Sequence, residues 1–243
     1  MKILTAVAVV LAACGTLSAA PMTVFHDTFD GYSSWQNPDG GWQNPGSLSV
    51  ADRGGGDKYI YSVAYNVWAM PYHSASIDWA NVDKVTITAS MMTSGARTWV
   101  GLTRNSAPTE EMFYMGEYGF AYNEGDPPIS YNHFGIKWDG VSYASAVRTD
   151  AAWHTLSMAI DQINDRVDLF LDGGATPIVT VNGLGTNYLN ISNIGMRIQK
   201  HGYVSAVSDV LLETEIVAPV PEPATMSLLA LGGLAAVIRR RRK

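Results

Sequence analysis

The sequence predicts an all-β fold, an antiparallel β-sandwich, between an N-terminal signal helix and a short C-terminal transmembrane helix. Three observations lead to this prediction. Residues 21–218 contain many short runs of alternating or β-branched residues and no long amphipathic helical pattern. Clusters of Gly, Pro, Asn and Asp separate these runs, as turns do in a sandwich or jelly roll. The two ends of the chain are apolar and lack this pattern.

These patterns divide the chain into a signal peptide at residues 1–20, one β-sandwich domain at 21–218 and a C-terminal tail at 219–243. The 243 residues include 16 basic and 22 acidic ones, and the two ends hold six of the bases and one of the acids. The domain therefore holds ten bases and 21 acids, a net charge of −11. This balance argues against nucleic-acid binding, which relies on basic surfaces.

The first 20 residues are typical of an export signal. Lys2 supplies the positive start, and the apolar run from Ile3 to Ala13 is too short to span a bilayer. Small residues from Ser18 to Ala20 suit cleavage, but Pro21 would follow the cut, so the cleavage position stays open. Cys14, the only cysteine, ends a Leu-Ala-Ala-Cys sequence that resembles a bacterial lipobox, and lipidation at this residue is the alternative.

The last 25 residues have three parts in order. Pro219 to Pro223 is stiff and extended, because each proline fixes its φ angle and restricts the residue before it. Ala224 to Ile238 is uncharged, and as a helix it would be about 22 Å long, short of the roughly 30 Å hydrocarbon core. Arg239 to Lys243 would stay on the cytoplasmic side, which places the domain outside.

This tail resembles the PEP-CTERM sorting domain of Gram-negative bacteria. The resemblance is carried by Val220-Pro221-Glu222-Pro223-Ala224, the short apolar helix and the run Arg239, Arg240, Arg241 and Arg242. It implies that an exosortase, a membrane-embedded enzyme, recognises Pro221, Glu222 and Pro223, and that the arginines retain the tail in the inner membrane. It further implies removal of the tail, release or attachment at the cell surface, and a link to exopolysaccharide and biofilm. An ordinary C-terminal anchor without processing is the alternative.

Eleven strands are predicted within the domain. They are Ser47–Asp52, Lys58–Ala64, Lys84–Met91, Thr98–Thr103, His133–Trp138, Val141–Val147, Trp153–Ile160, Arg166–Leu171, Ile178–Val181, Asn193–Gln199 and Ser208–Glu215. Val85 to Ala89 alternates cleanly, as a half-buried strand should, and Asp172-Gly173-Gly174 is a hairpin signal. Asn105–Tyr131 is irregular and is predicted to be a long functional loop or an inserted hairpin.

The run from Trp153 to Asp161, followed by Val167 to Gly173, resembles the paired central strands of laminin-G-like and concanavalin-like jelly rolls. Further matches are Trp99-Val100-Gly101-Leu102, Ile194-Gly195-Met196-Arg197 and Val207-Ser208-Asp209-Val210. The resemblance implies a concanavalin-like jelly roll. It also implies a structural calcium ion, which ties the first strand to the last in many bacterial modules of this kind. Asp27 or Asp30 near the start and Asp209 near the end could supply oxygen ligands, which suit calcium.

No catalytic motif is found, and the prediction is a protein that is not an enzyme. Retaining glycoside hydrolysis needs two carboxyl groups about 5–5.5 Å apart. Hydrolases of this fold often carry Glu-x-Asp-x-x-Glu on one strand, and the sequence has no such run. Glu117 and Glu124 are the best remaining acids for the alternative, a polysaccharide hydrolase or lyase. His154, next to Trp153 at a strand start, is predicted to make a structural hydrogen bond.

Aromatic residues are the remaining signal. Trp35, Trp42, Tyr118 and Tyr122 lie in polar, turn-rich stretches and are predicted to bind carbohydrate by stacking on sugar rings. Trp68, Trp99, Trp138 and Trp153 are predicted to fill the core. The predicted function is an exported protein, transiently in the inner membrane and then at the cell surface or in the matrix, that binds or organises exopolysaccharide. A purely structural matrix or adhesion protein is a third hypothesis.

Overall fold

A computed structural model describes part of the chain. The described residues are 20–34, 38, 40–44, 46–63, 68–93, 98–104, 113–118, 133–199 and 205–216. Pro21–Glu215 forms one compact unit, and Met1–Ala20 with Ile216–Lys243 is assigned to a second unit that lies almost entirely outside the described residues. The predicted signal helix and C-terminal helix therefore lie outside as well. Within the described ranges, no helix has the length and apolar character needed to cross a membrane.

The described elements are strands and one short 3₁₀ helix at Asn187–Asn190. The strands are β1 (Met22–Asp27), β2 (Leu48–Asp52), β3 (Lys58–Ser62), β4 (Trp68–Ala69), β5 (Tyr72–Ser74), β6 (Lys84–Thr93), β7 (Thr98–Arg104), β8 (Phe113–Tyr118), β9 (His133–Trp138), β10 (Val141–Arg148), β11 (Trp153–Asp161), β12 (Arg166–Leu171), β13 (Val179–Asn182), β14 (Ile191–Gln199) and β15 (Ser205–Glu215).

These strands form two antiparallel sheets. The eight-stranded sheet has the order β13-β12-β11-β6-β15-β3-β2. Strand β1 pairs with the same edge of β15 as β3 does, but with later residues of that strand. The seven-stranded sheet has the order β10-β9-β8-β7-β14-β4, and β5 also pairs with β14. Apolar side chains from both sheets form one core. The prediction of an all-β antiparallel sandwich is confirmed.

Strand β6 shows how the sequence builds this core. Val85, Ile87, Ala89 and Met91 are fully buried, and the residues between them are partly exposed. Burial contributes about 1.5–3 kcal/mol for each large aliphatic side chain. A shift of one residue would move this whole row from the core to solvent, so the alternation fixes the register of β6 against β11 and β15.

All eleven predicted strands are present, with ends shifted by at most three residues. The prediction missed β1, β4, β5 and β8. Strand β8 lies inside the stretch predicted as a long loop or inserted hairpin, yet it is a full member of the sheet between β7 and β9. Its sequence shows no apolar–polar alternation, because Phe113 and Met115 are buried in the core and Tyr114 is only 3% exposed on the opposite face.

Asp27 organises the chain that follows β1. Its Oδ1 accepts a hydrogen bond from the backbone N–H of Phe29 at 2.8 Å. Its Oδ2 accepts from the Tyr32 hydroxyl at 2.6 Å and from the Trp42 indole Nε1–H at 2.7 Å. Trp42 is 5% exposed and packs edge-on against Phe25, with ring centroids 5.8 Å apart. The prediction that Trp42 stacks on sugar is therefore wrong, because its ring fills the core while its one polar atom is bound to Asp27.

Replacing Asp27 with Asn should lower the free energy of unfolding by about 1–3 kcal/mol, the cost of leaving a buried donor unsatisfied. An amide nitrogen at the Oδ2 position cannot accept from the Trp42 indole or the Tyr32 hydroxyl. Urea unfolding followed by fluorescence measures the change. Asp30→Asn is the matched control, because exposed Asp30 accepts from the backbone N–H of Lys58 through one oxygen, which an amide retains. Equal losses in the two variants would contradict the assigned role of Asp27.

His154 links the start of β11 to two acidic residues, as the sequence predicts for a structural histidine. Its Nδ1 lies 2.8 Å from Asp172 Oδ2, and its Nε2 lies 2.9 Å from Asp150 Oδ1. Burial alone would lower the pKa of His154, but its hydrogen bonds to Asp172 and Asp150 outweigh burial and raise the pKa above its ordinary value. The pKa of Asp150 is lowered by hydrogen bonds from the Ala152 backbone and from His154.

This cluster makes stability depend on pH. Because the pKa of His154 is higher in the folded chain, its contribution is complete below about pH 6.5 and is lost as the pH rises through the folded value. The lowered pKa of Asp150 acts at the acidic end, where its contribution is lost as the pH falls below about 4. The melting temperature should therefore fall on the alkaline side in the parent chain and fall less in His154→Gln. Circular dichroism melts from pH 4 to pH 9 measure this, and parallel curves for the two proteins would contradict it.

Candidate functional site

The outer face of the seven-stranded sheet carries two adjacent rows of residues that cross five strands. The first row is Arg197 on β14, Trp99 on β7, Gly116 on β8, Gly135 on β9 and Ala144 on β10. The second row is Gly195, Gly101, Tyr114, Lys137 and Ser142 on the same strands. The residues that alternate with them, such as Val100, Met115 and Ile136, are fully buried in the core, so both rows face outward.

Glycines let the two aromatic side chains of these rows lie close to the sheet. A Cβ atom on Gly116 would lie 2.6 Å from Trp99 Cδ1, and one on Gly195 would lie 2.9 Å from the Tyr114 hydroxyl. The phenol of Tyr114 therefore reaches across β7 toward β14. The Trp99 indole Nε1–H donates to the backbone carbonyl of Glu117, which fixes the half-exposed ring. The ring centroids of Trp99 and Tyr114 are 6.5 Å apart.

Two cations stand beside the Trp99 ring. Lys137 Nζ is 6.0 Å and Arg197 Cζ is 5.6 Å from its centroid. These distances are within the range of cation–π attraction. Trp99, Tyr114 and Lys137 line a shallow surface depression whose remaining lining is Gly116 and Gly135. The depression is open surface and does not enclose a ligand.

Burial raises the pKa of the Tyr114 hydroxyl well above its ordinary value. The hydroxyl therefore stays neutral at any physiological pH and keeps its proton. A neutral phenol can both donate and accept a hydrogen bond. The depression thus combines a fixed indole, a hydroxyl at its floor and cations at its rim.

A second aromatic cluster lies on the eight-stranded sheet, around Trp153. There Arg53 Cζ is only 4.2 Å from the Trp153 ring centroid, and Tyr59 contacts the same ring edge-on at 5.7 Å. Asp57 holds the Arg53 guanidinium through two hydrogen bonds of 2.6 and 2.8 Å. The Trp153 ring is therefore already in contact with Arg53 and Tyr59 of the same chain.

The predictions for the tryptophans are corrected in part. Trp138 is 3% exposed and fills the core as predicted, but Trp99 and Trp153 lie on outer faces of the two sheets. The alternation around Val100 and Leu102 could have placed Trp99 outside, since strand neighbours point to opposite faces. The glycines beside it belong to β8 and β9, and the sequence does not show which strands lie next to β7. The Trp68 side chain is not among those that the structure describes, so its predicted place in the core stays a prediction.

The other predicted carbohydrate-binding residues are not brought into this site by the described structure. Trp35 and Tyr122 lie outside the described residues. Tyr118 is the last residue of β8, opposite His133, and its side chain is not described. These three residues stay predictions.

The acids predicted to hold calcium are engaged separately. Both carboxylate oxygens of Asp27 accept the hydrogen bonds described above. Asp30 Oδ1 accepts a hydrogen bond from the backbone N–H of Lys58. Asp209 lies 3.0 Å from His26 Nε2. Within the described ranges, no three His, Cys, Asp or Glu side chains are grouped so that they could hold a metal ion. Calcium binding by Asp27, Asp30 or Asp209 stays a prediction.

Glu117, the best acid candidate for the enzyme alternative, lies between the sheets and is 4% exposed. It accepts hydrogen bonds from the hydroxyls of Thr93 and Thr149. Its carboxylate does not open onto the outer face that carries Trp99. Glu124 lies outside the described residues.

The C-terminal residues match a family of sorting motifs. Residues 219–243 match the family described as the PEP-CTERM protein-sorting motif. The chain carries a PEP-CTERM sorting motif. The predicted resemblance to the PEP-CTERM motif is confirmed, and Pro221, Glu222 and Pro223 and the four arginines lie within the matched residues. Their roles in recognition and retention stay predictions. The PEP-CTERM motif indicates an exported protein that is anchored transiently in the membrane before display at the cell surface.

Solved structures share the sandwich fold of this PEP-CTERM chain at low sequence identity. The CBM2 module of the evolved Dit of Lactobacillus casei BL23 phage J-1 is 13% identical with a TM-score of 0.53, covering 84% of this chain and 100% of its own. Winged bean acidic lectin, solved with methyl-α-D-galactose, is 12% identical with a TM-score of 0.50, covering 81% and 99%. A carbohydrate esterase from Shiga toxin-encoding bacteriophage phi24B is 12% identical with a TM-score of 0.52, covering 80% and 99%.

At these identities the similarity concerns the fold alone. It confirms the prediction of a lectin-like, concanavalin-like jelly roll. Comparison with curated protein sequences finds no relative.

Proposed function

We propose that this chain is an exosortase-sorted surface protein that binds exopolysaccharide through the outer face of its seven-stranded sheet. The observation that carries the proposal is the Trp99 ring, which is half-exposed, fixed by its hydrogen bond to the Glu117 carbonyl and seated beside Gly116. An indole face that is held in place can stack on the apolar face of a sugar without losing much conformational freedom on binding.

The shape of the face suits a polymer. The two rows cross five strands, which is about 19 Å at the usual strand spacing of about 4.8 Å. A sugar unit stacked on Trp99 would lie over the shallow depression, and the rows on either side would offer contacts to its neighbours. Tyr114 and Lys137 supply hydrogen-bonding groups for sugar hydroxyls.

Structures with the same fold support the ligand class without fixing the site. One is a lectin solved with a galactoside, and another is a CBM2 module. Because one fold hosts many functions, the site is argued from the residues of this chain.

A polysaccharide-processing enzyme is the second candidate, since one structure of this fold is named a carbohydrate esterase. Glu117 does not serve this alternative, because it is buried between the sheets. Glu124, the other acid predicted for this alternative, lies outside the described ranges.

Binding of the full-length chain, purified in mild detergent, to a panel of purified exopolysaccharides tests the proposal. Affinity gel electrophoresis, with calcium and with chelator, should show saturable retardation, and the polymers should keep their length on size-exclusion chromatography. Loss of binding in chelator would support the predicted calcium ion. Shortened polymers would favour the enzyme, and no binding to any polymer would favour a purely structural matrix protein.

A further inference from the structure

We propose that Glu117 is the positioning residue of Trp99. Its buried carboxylate ties the end of β8 to the opposite sheet, and its backbone carbonyl thereby holds the indole ring where a sugar can stack. This inference rests on the proposed function, since it concerns the same binding surface. It gives a role to the carboxylate that the sequence singles out only as a candidate catalytic acid.

The backbone of Glu117 meets the Trp99 ring at the end of a strand pair. Its carbonyl accepts the hydrogen bond that the Trp99 indole Nε1–H donates. The paired register of β7 and β8 ends at Gly116, which lies opposite Trp99, so Glu117 is the first residue of β8 beyond it. The indole hydrogen bond therefore continues the link between the two strands past their described pairing. The place of the ring depends on where this carbonyl is held.

The side chain of Glu117 anchors that carbonyl from the other side of the sheet. Its Oε2 accepts a hydrogen bond from the hydroxyl of Thr93, the last residue of β6 in the eight-stranded sheet. Its Oε1 accepts from the hydroxyl of Thr149, in the connection between β10 and β11, at 3.4 Å. All three side chains are buried. One carboxylate thus joins the end of β8 to the opposite sheet and to a neighbouring connection.

A carboxylate is not what packing alone would select at this position. Phe113 and Met115, the preceding inward residues of β8, are apolar and fully buried, and Glu117 continues their row opposite Phe134. Moving a carboxylate out of water is costly, and apolar residues of similar volume are often as stable or more so. What the carboxylate adds is direction, because hydrogen bonds to two fixed hydroxyls hold the strand end in one arrangement.

The consequence for binding lies in the freedom of the ring. With the Glu117 carbonyl in place, the indole keeps its acceptor and presents one face to a ligand. If the strand end shifts, the ring loses that acceptor and samples several orientations. Binding a sugar must then immobilise the ring again, which lowers the affinity without removing any group that contacts the sugar.

Glu117→Met tests this inference on the full-length, ¹⁵N-labelled chain in mild detergent. Two-dimensional NMR records the indole Nε1–H signals, and the Trp99 signal is assigned by its loss in Trp99→Phe. In Glu117→Met we expect this signal to move and its proton to exchange with solvent about five- to tenfold faster, as for a lost hydrogen bond. Affinity for the exopolysaccharide that binds the parent chain best should fall about three- to tenfold. The melting temperature should stay close to that of the parent chain.

Two control variants separate positioning from a general effect of removing a buried acid. Glu117→Gln keeps the length of the side chain, and its amide can bond both hydroxyls, so it should restore the Trp99 signal and the affinity. Asp168→Leu also removes a buried acid, one that accepts from the Thr180 hydroxyl at 2.6 Å in the eight-stranded sheet. It should leave the Trp99 signal in place and the affinity within about twofold of the parent chain.

A milder pair of variants covers the case in which Glu117→Met does not fold. Thr149→Val removes one hydroxyl of the anchor and keeps the shape of the side chain, and Thr180→Val makes the same change beside Asp168. Only Thr149→Val should move the Trp99 signal.

The outcomes separate this inference from the function on which it rests. An unchanged Trp99 signal in folded Glu117→Met, or in Thr149→Val if the first variant does not fold, would overturn the positioning role and leave polysaccharide binding standing. Equal changes in Asp168→Leu would overturn the assignment to Glu117. Binding of no polymer by the parent chain would overturn the proposed function, and a displaced Trp99 signal in Glu117→Met would still support the link between carboxylate and ring.

Discussion

Replacing Pro221, Glu222 and Pro223 with alanine should leave the C-terminal tail uncleaved and hold the protein in the inner membrane. These residues lie within the PEP-CTERM motif at residues 219–243. The apolar run and the arginines that follow would then remain attached, and a charged end does not cross the bilayer readily. Cell fractionation and the intact mass of the mature protein measure the result. The expected change is nearly complete, since sorting depends on a single cut.

Alanine at Thr225, Met226 and Ser227 provides the matched control for that experiment. It also changes three residues in the tail and keeps the segment uncharged, but it spares the proline-glutamate-proline sequence. This variant should be processed and displayed like the parent chain. Unchanged release of the Pro221, Glu222, Pro223 variant would show that the exosortase does not read these residues.

Replacing Trp99 with alanine should weaken polysaccharide binding by at least about 30-fold, because truncating a central tryptophan at an interface typically costs 2 kcal/mol or more. The change removes the stacking surface and leaves Lys137 and Arg197 in place. Affinity gel electrophoresis at fixed ionic strength measures it.

Trp153→Ala is the matched control for this variant. Trp153 also lies on the outer face of a sheet, but Arg53 covers its ring at 4.2 Å and Tyr59 packs against it. Its removal should disturb local packing and leave binding within about twofold of the parent chain, the range of a surface change remote from the site. Similar losses in both variants, at unchanged melting temperatures, would place the binding surface elsewhere.

Sequence patterns predict most of the sandwich because burial on one face leaves a visible period. Val85 to Met91 alternates in the sequence and in the structure, and the register of β6 follows from it. The pattern fails at β8, where Tyr114 covers the outer face as closely as Phe113 and Met115 fill the inner one. A strand that is buried on both sides has no period of two to detect.

The candidate site is harder to predict than the fold, because it depends on which strands are neighbours. Trp99 and Arg197 are almost 100 residues apart in the chain and lie directly opposite each other on β7 and β14. Trp42 shows the reverse error: its polar sequence neighbours suggest exposure, but Asp27 binds its indole nitrogen inside the core. The sorting motif needs no such pairing, because it is one continuous stretch of the chain, and the sequence alone predicts it.

The place of β15 in the eight-stranded sheet determines how the protein responds to mechanical force. This last strand ends at Glu215, six residues before Pro221, and pairs with β6 along its length from Ser205 onward. Strands β3 and β1 pair with its other edge. A load applied at the C-terminal end of the domain would pass along β15. Hydrogen bonds to β6 on one edge and to β3 and β1 on the other would then resist that load in shear together.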